Sequence, residues 1–197
     1  MHSAGCGCKA EHELGTSSIC LRGQINLEAV RVLNSDSRPE EGRLVFKPYD
    51  NRLSEVVLRS DSLSDNELLF IVPFSNPCDI AHFLIVNEGD EVISVKLFAN
   101  RPQFDFSDIE VVTPSQELQV APDYHGSFLH KLSLLKFKDV LSLAIYISGN
   151  SRVAIRYIGL RGRFHKLQSN VVDAKYEVIP TSSFQESISE VKHLKFV

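Results

Sequence analysis

Beyond Gly42 the apolar positions fall into short runs at 44–46, 55–58, 68–72, 80–86 and 92–98, each followed by a polar or proline-containing break. In 140–148, Leu141, Leu143, Ile145 and Ile147 alternate with Ser142, Ala144, Tyr146 and Ser148. That is the period of two expected of a strand with one buried face. Runs at 131–137 and 152–160 flank it, with Gly149 and Asn150 as the turn into the second. The middle of the chain lacks a helical stripe of a dozen residues, and β-branched and aromatic residues cluster instead in short runs. The pattern predicts an all-β domain, a two-sheet β-sandwich with a jelly roll as its topology.

Before this region, Ile25, Leu27, Val30 and Leu33 mix their spacings, compatible with a helical turn or an irregular packed segment, and 34–42 carries the Asn, Ser, Asp, Pro and Gly of a loop. Residues 1–18 show no apolar periodicity and are expected as a flexible leader containing Cys and His. Val171, Val172, Tyr176, Val178 and Ile179 supply one more β-like run before the Ser-rich stretch that follows it. The expected division is a leader over 1–18, a domain over 19–183 and a flexible C-terminal tail over 184–197.

The length of 197 residues suits one well-buried core. A charged fraction of 23% and a formal net charge of −4 argue against a nucleic-acid binder. The longest apolar runs fall far short of the roughly 18–20 residues that span a bilayer as a helix, and the first twenty residues lack the apolar stretch of a secretory signal. No membrane and no export are expected; the four cysteines are read as reduced thiols in the cytoplasm, or also the nucleus.

Candidate chemistry is sparse. Cys6 and Cys8 have one residue between them, so they are not a C-x-x-C dithiol, although with His2 and His12 they offer a candidate metal set. Histidines 82, 125, 130, 165 and 193 are scattered, and no G-x-S-x-G elbow or glycine-rich phosphate loop occurs. Asp105, Asp108 and Glu110 read as a solvated loop. No enzyme and no cofactor are expected. The basic cluster Arg161, Arg163 and His165 with Phe164 reads as a strand-end surface able to face an acidic protein, and Lys47 with Tyr49 joins it as a candidate binding pair. For Tyr49 and Phe164, core packing is the alternative.

Four ordered strings resemble the PITH family: Gly42-Arg43-Leu44-Val45-Phe46-Lys47-Pro48-Tyr49, Glu67-Leu68-Leu69-Phe70-Ile71-Val72-Pro73-Phe74, Lys96-Leu97-Phe98-Ala99-Asn100-Arg101-Pro102-Gln103 and Tyr157-Ile158-Gly159-Leu160-Arg161-Gly162. The leader and the Phe46–Tyr49 string look like the family's stand-alone branch, not its thioredoxin fusion. The resemblance implies a galactose-binding-like jelly roll and, as partner, the regulatory particle of the 26S proteasome; the expected role is that of a non-catalytic adaptor, and separately the chain is expected to be a monomer. Two other functions stay open at this stage, a carbohydrate-binding module and a metal-binding or redox-linked protein acting through the Cys-x-Cys.

Overall fold

The computed structural model of the chain describes residues 18–165 except 63 and 64. Among these residues nine strands form one antiparallel sheet that curls over itself: β1 (Ile19–Cys20), β2 (Arg31–Leu33), β3 (Leu58–Arg59), β4 (Glu67–Asn87), β5 (Ile93–Ala99), β6 (Gln116–Val120), β7 (His130–Lys131), β8 (Val140–Ser148) and β9 (Ala154–Phe164). β4 is the spine. Its first part pairs with β2 and β8, its second part with β7 and β9, and its register shifts between Pro73 and Cys78. The runs at 68–72 and 80–86 are therefore one strand of 21 residues. Proline has no N–H for the ladder and is tolerated at a bulge, so the apparent break is where the strand bends from one layer into the other.

The alternate side chains of β4 enter different cores. Leu68, Phe70 and Val72 meet Phe83, Ile85, Ile145 and Ile158 in the main cluster between the layers. Leu69 and Ile71 point the other way, onto Phe98, Phe104 and Tyr146. Phe106 and Ile109 of the one-turn helix α1 (Phe106–Ile109) pack on that second cluster. On the far layer Leu84 and Val86 join Tyr49 and Tyr157 in a third. Burial on both faces explains why these strands read as continuous apolar runs. It also corrects the expectation for β8, whose boundaries are as predicted but whose Ala144 and Tyr146 are buried along with Leu143, Ile145 and Ile147.

Other expectations are corrected too. Residues 44–46 lie at the end of a 3-10 helix, Pro39–Val45, which also takes up the last part of the expected loop, and only Leu58 of 55–58 enters a strand. The chain bends at Asn150 and Ser151, one residue past the expected turn, and β8 and β9 do not pair across the bend; each pairs with a different part of β4. Asp105 and Asp108 are explained by the capping box of α1, in which Asp105 accepts the Phe106 N–H and Asp108 accepts the Asp105 N–H. The β-like run at 171–179 lies outside the described residues.

Candidate interaction surfaces

The clearest surface feature is the turn 133–137. It was read as part of a strand, but pairing stops at Lys131. Leu132 and Phe137 are buried at its two ends, and the Ser133 carbonyl accepts the N–H groups of Lys136 and Phe137. One side chain clamps the base: Gln116 donates to the Lys131 carbonyl at 3.0 Å and accepts the Ser133 N–H at 2.9 Å. Between these anchors Leu134 is 57% exposed and Leu135 93% exposed. Exposed Lys131, Lys136 and Lys138 surround them in sequence. Single exposed apolar residues are common, but two adjacent leucines on an anchored tip are a concentrated apolar surface. Burying one leucine fully is worth about 1.5–3 kcal/mol, so the tip holds binding energy that the monomer leaves unused.

A second group sits where β9 ends. His165 Nε2 lies 2.9 Å from Asp79 Oδ2, and Asp79 Oδ1 accepts the Asp139 N–H at 2.9 Å. Burial works against the Asp79 charge, but the Asp139 N–H and the His165 ring outweigh it and hold the carboxyl below the usual carboxylate range. A depressed folded-state value contributes stability that is present above the unfolded value, about 3.9, and is lost as pH falls through the folded one. Asp79→Asn should therefore flatten the acid limb of the stability curve, read as urea midpoints between neutral pH and pH ~2; an unchanged limb would show that Asp79 contributes no linkage. Asp79, Asp139 and His165 are also the one group of potential metal ligands found among the described residues, their atoms within 4.8 Å of one another. Both Asp79 oxygens are already engaged within the protein, so the arrangement serves as a strap on the strand end.

The third surface gathers around the turn after Tyr49. The Lys47 ammonium is held by Ser54 Oγ at 2.8 Å and the Val56 carbonyl at 3.1 Å. Burial lowers its pKa first, and the neighbouring Arg156 charge adds to this. Arg52 lies over the Tyr49 ring, 4.0 Å from its centroid, and donates to the His125 carbonyl. Leu53, Asn87, Glu88, Tyr124, His125 and Arg156 line a concavity of about 340 Å³ beside it.

The PITH domain signature matches residues 11–180. The chain belongs to the PITH domain family. It is 33% identical to PITH domain-containing protein 1 of mouse and of human over 177 residues, 85% of this chain and 82% of each relative. A Caenorhabditis elegans PITH domain-containing protein is 30% identical over 190 residues, 89% of this chain and 88% of that one. Among solved structures, CpGH89 from Clostridium perfringens, solved with its substrate GlcNAc-alpha-1,4-galactose, superposes with a TM-score of 0.52 at 15% identity. That match covers 74% of this chain and 15% of the enzyme, and it establishes the fold alone. The PITH domain is thus a β-sandwich of jelly-roll type.

On this PITH domain the predicted basic cluster is split. Arg161 is 3% exposed and donates to the Ser18 carbonyl at 2.7 Å, so it ties the incoming chain to β9 and does not face a partner. Strand alternation would have separated it from neither Arg163 nor the interior, because β9 is buried on both faces over most of its length. Arg161→Ala should cost about 1.5–3 kcal/mol, the range for a hydrogen bond to a charged group, in a urea titration; an unshifted midpoint would remove this structural role. Tyr49 is likewise buried, edge-on to Tyr157 with ring centroids 6.2 Å apart, its hydroxyl donating to the Gly126 carbonyl. Phe164 packs against the main core from its margin. Arg163 and His165 are exposed, and Lys47 is half-buried with its ammonium held by Ser54 and Val56. Cys6, Cys8, His2 and His12 lie outside the described residues. Cys20 and Cys78 are buried, and burial, then the Asp79 charge, push the Cys78 thiol up to about 12, away from thiolate chemistry.

The reading from sequence missed Leu134 and Leu135. The available signal was weak: Leu132, Leu134, Leu135 and Phe137 do not keep one parity, which a turn explains but which a strand buried on both faces, such as β4, explains equally.

Proposed function

We propose that this PITH domain is a non-catalytic, monomeric docking module of the cytoplasm and nucleus. It binds the regulatory particle of the proteasome, and the leucine-tipped turn 133–137 is its principal contact. The partner is supported by family membership and by the resemblance that goes with it. The contact is supported by one observation, the anchored display of Leu134 and Leu135 beside exposed lysines. Interfaces draw most of their energy from a few apolar or aromatic anchors that become fully buried, and a rigid anchor loses little entropy on binding. A non-catalytic role agrees with the relatives, which are named for their domain, and with the raised Cys78 thiol. The carbohydrate-binding alternative rests on likeness of fold, and fold does not fix function.

Affinity capture of the tagged chain from cytosolic lysate at physiological salt, read by mass spectrometry, tests the partner. Regulatory-particle subunits should be enriched over a tag-only control. Recovery at background level would remove the proteasome from this account.

A further inference from the structure

We propose that the concavity between Leu53, Tyr124 and Arg156 is a second binding site, which takes an acidic peptide segment carrying one bulky apolar side chain. The site lies around the turn after Tyr49 and shares no residue with the turn 133–137.

Its walls are fixed before any ligand arrives. Asp123 is buried, and its carboxylate accepts the N–H groups of His125, Gly126 and Phe128 at 3.1, 2.9 and 2.8 Å. That closes the loop 123–128 into one conformation. Gly126 adopts φ +66° within it, and a Cβ there would stand 2.9 Å from a Val86 methyl. The Tyr124 hydroxyl donates to Asp90 at 2.5 Å, holding a half-exposed ring at the rim, and Leu53, 44% exposed, stands opposite. Arg156 fixes the Leu53 side by donating to the Leu53 carbonyl at 2.9 Å. At about 340 Å³ the space lies at the small end of ligand pockets. Its apolar rim suits a single large side chain.

Charge selects what flanks that side chain. Arg156 lines the space itself; Arg59 reaches it through Glu88, Arg52 through the His125 carbonyl, and Lys47 through Ser54, where the Arg156 charge acts on it. Among the described residues, Glu88 supplies the carboxylate for both salt bridges in this cluster, to Arg59 and to Arg156. Lys47 is held by neutral oxygens, and so is Arg52, by the His125 and Tyr49 carbonyls. Four cations stand against Glu88 and, on Tyr124 at the rim, Asp90, so positive charge is in surplus here and carboxylates docking beside Lys47 and Arg52 would complement it. A neutral saccharide would not.

A positional-scanning peptide library, probed with the full chain, reads the preference directly. Selection should favour Asp or Glu next to Leu or Phe and weaken at high salt. The best peptide should bind Lys47→Glu at least about tenfold more weakly, with Lys47→Met in the same direction should the charge reversal compromise folding. Tyr124→Ala should lose the apolar preference. Leu134→Ser/Leu135→Ser should bind the peptide unchanged, so this site and the proteasome contact can fail separately. Absence of selection, selection for basic residues, or indifference to Lys47→Met would overturn the proposal. So would a glycan array in which a neutral sugar binds in a Tyr124-dependent way, which would give the pocket to a saccharide.

Discussion

Gly162→Ala should abolish folding of the chain or lower its stability by more than alanine at any other glycine of the described residues. A Cβ at 162 would lie 1.9 Å from the Asp79 carbonyl oxygen, 2.9 Å from its carbon and 3.1 Å from Ile80 Cα. All three are backbone atoms, so no side chain can rotate away. Gly162 pairs with Ile80 of β4 on one side and Ile19 of β1 on the other, close to the bulge where β4 passes between layers. Separating β9 from β4 there would expose Ile80, Phe83 and Leu160, which are buried in the main core. Inserting a methylene into a packed core ordinarily costs about 1–3 kcal/mol, relieved by small shifts. Backbone against backbone offers no such relief, and a domain of ordinary stability, about 5–15 kcal/mol in total, has little reserve. At Gly159, by contrast, the nearest atoms belong to the Tyr157 side chain, so Gly159→Ala should be the milder change. Soluble yield and urea midpoints decide between them, and a wild-type midpoint for Gly162→Ala would refute the close packing of β9 on β4.

Leu134→Ser/Leu135→Ser should eliminate capture of regulatory-particle subunits while leaving the fold intact. Neither side chain belongs to a core cluster, and substitutions at such sites shift stability by about 0.5 kcal/mol or less. In the complex the same pair accounts for up to about 1.5–3 kcal/mol each, enough to weaken binding a hundredfold or more. Arg163→Ala, at the other exposed surface, should retain capture. A double-serine variant that captures normally would move the contact away from the turn.

The fold class was legible because the long strands β4, β5, β8 and β9 announce themselves as apolar runs, and β8 was bounded to the residue by Val140 and Ser148; the short β1, β2 and β6 carry no such run and were not anticipated. What pattern could not show was which runs join. Pro73 and Pro77 look like terminators, yet a bulge absorbs them and turns two runs into one spine. Faces were misjudged for a related reason: β4, β8 and β9 are covered on both sides, by short segments such as α1 whose packing no periodicity encodes. The candidate surface was legible only in part. Charge and aromaticity singled out Arg161 and Tyr49, but those same properties let one tether Ser18, just ahead of β1, and the other stack in a core. Leu134 and Leu135 carried the opposite signature, apolar residues that geometry leaves in water.

The most direct measurement is site-specific photo-crosslinking to purified 26S proteasome from a photoreactive residue placed at 135, with position 163 as the comparison. The account predicts a crosslink to a regulatory-particle subunit from 135 and none from 163. A crosslink from 163 alone, or from neither position when the complex is saturated, would contradict it.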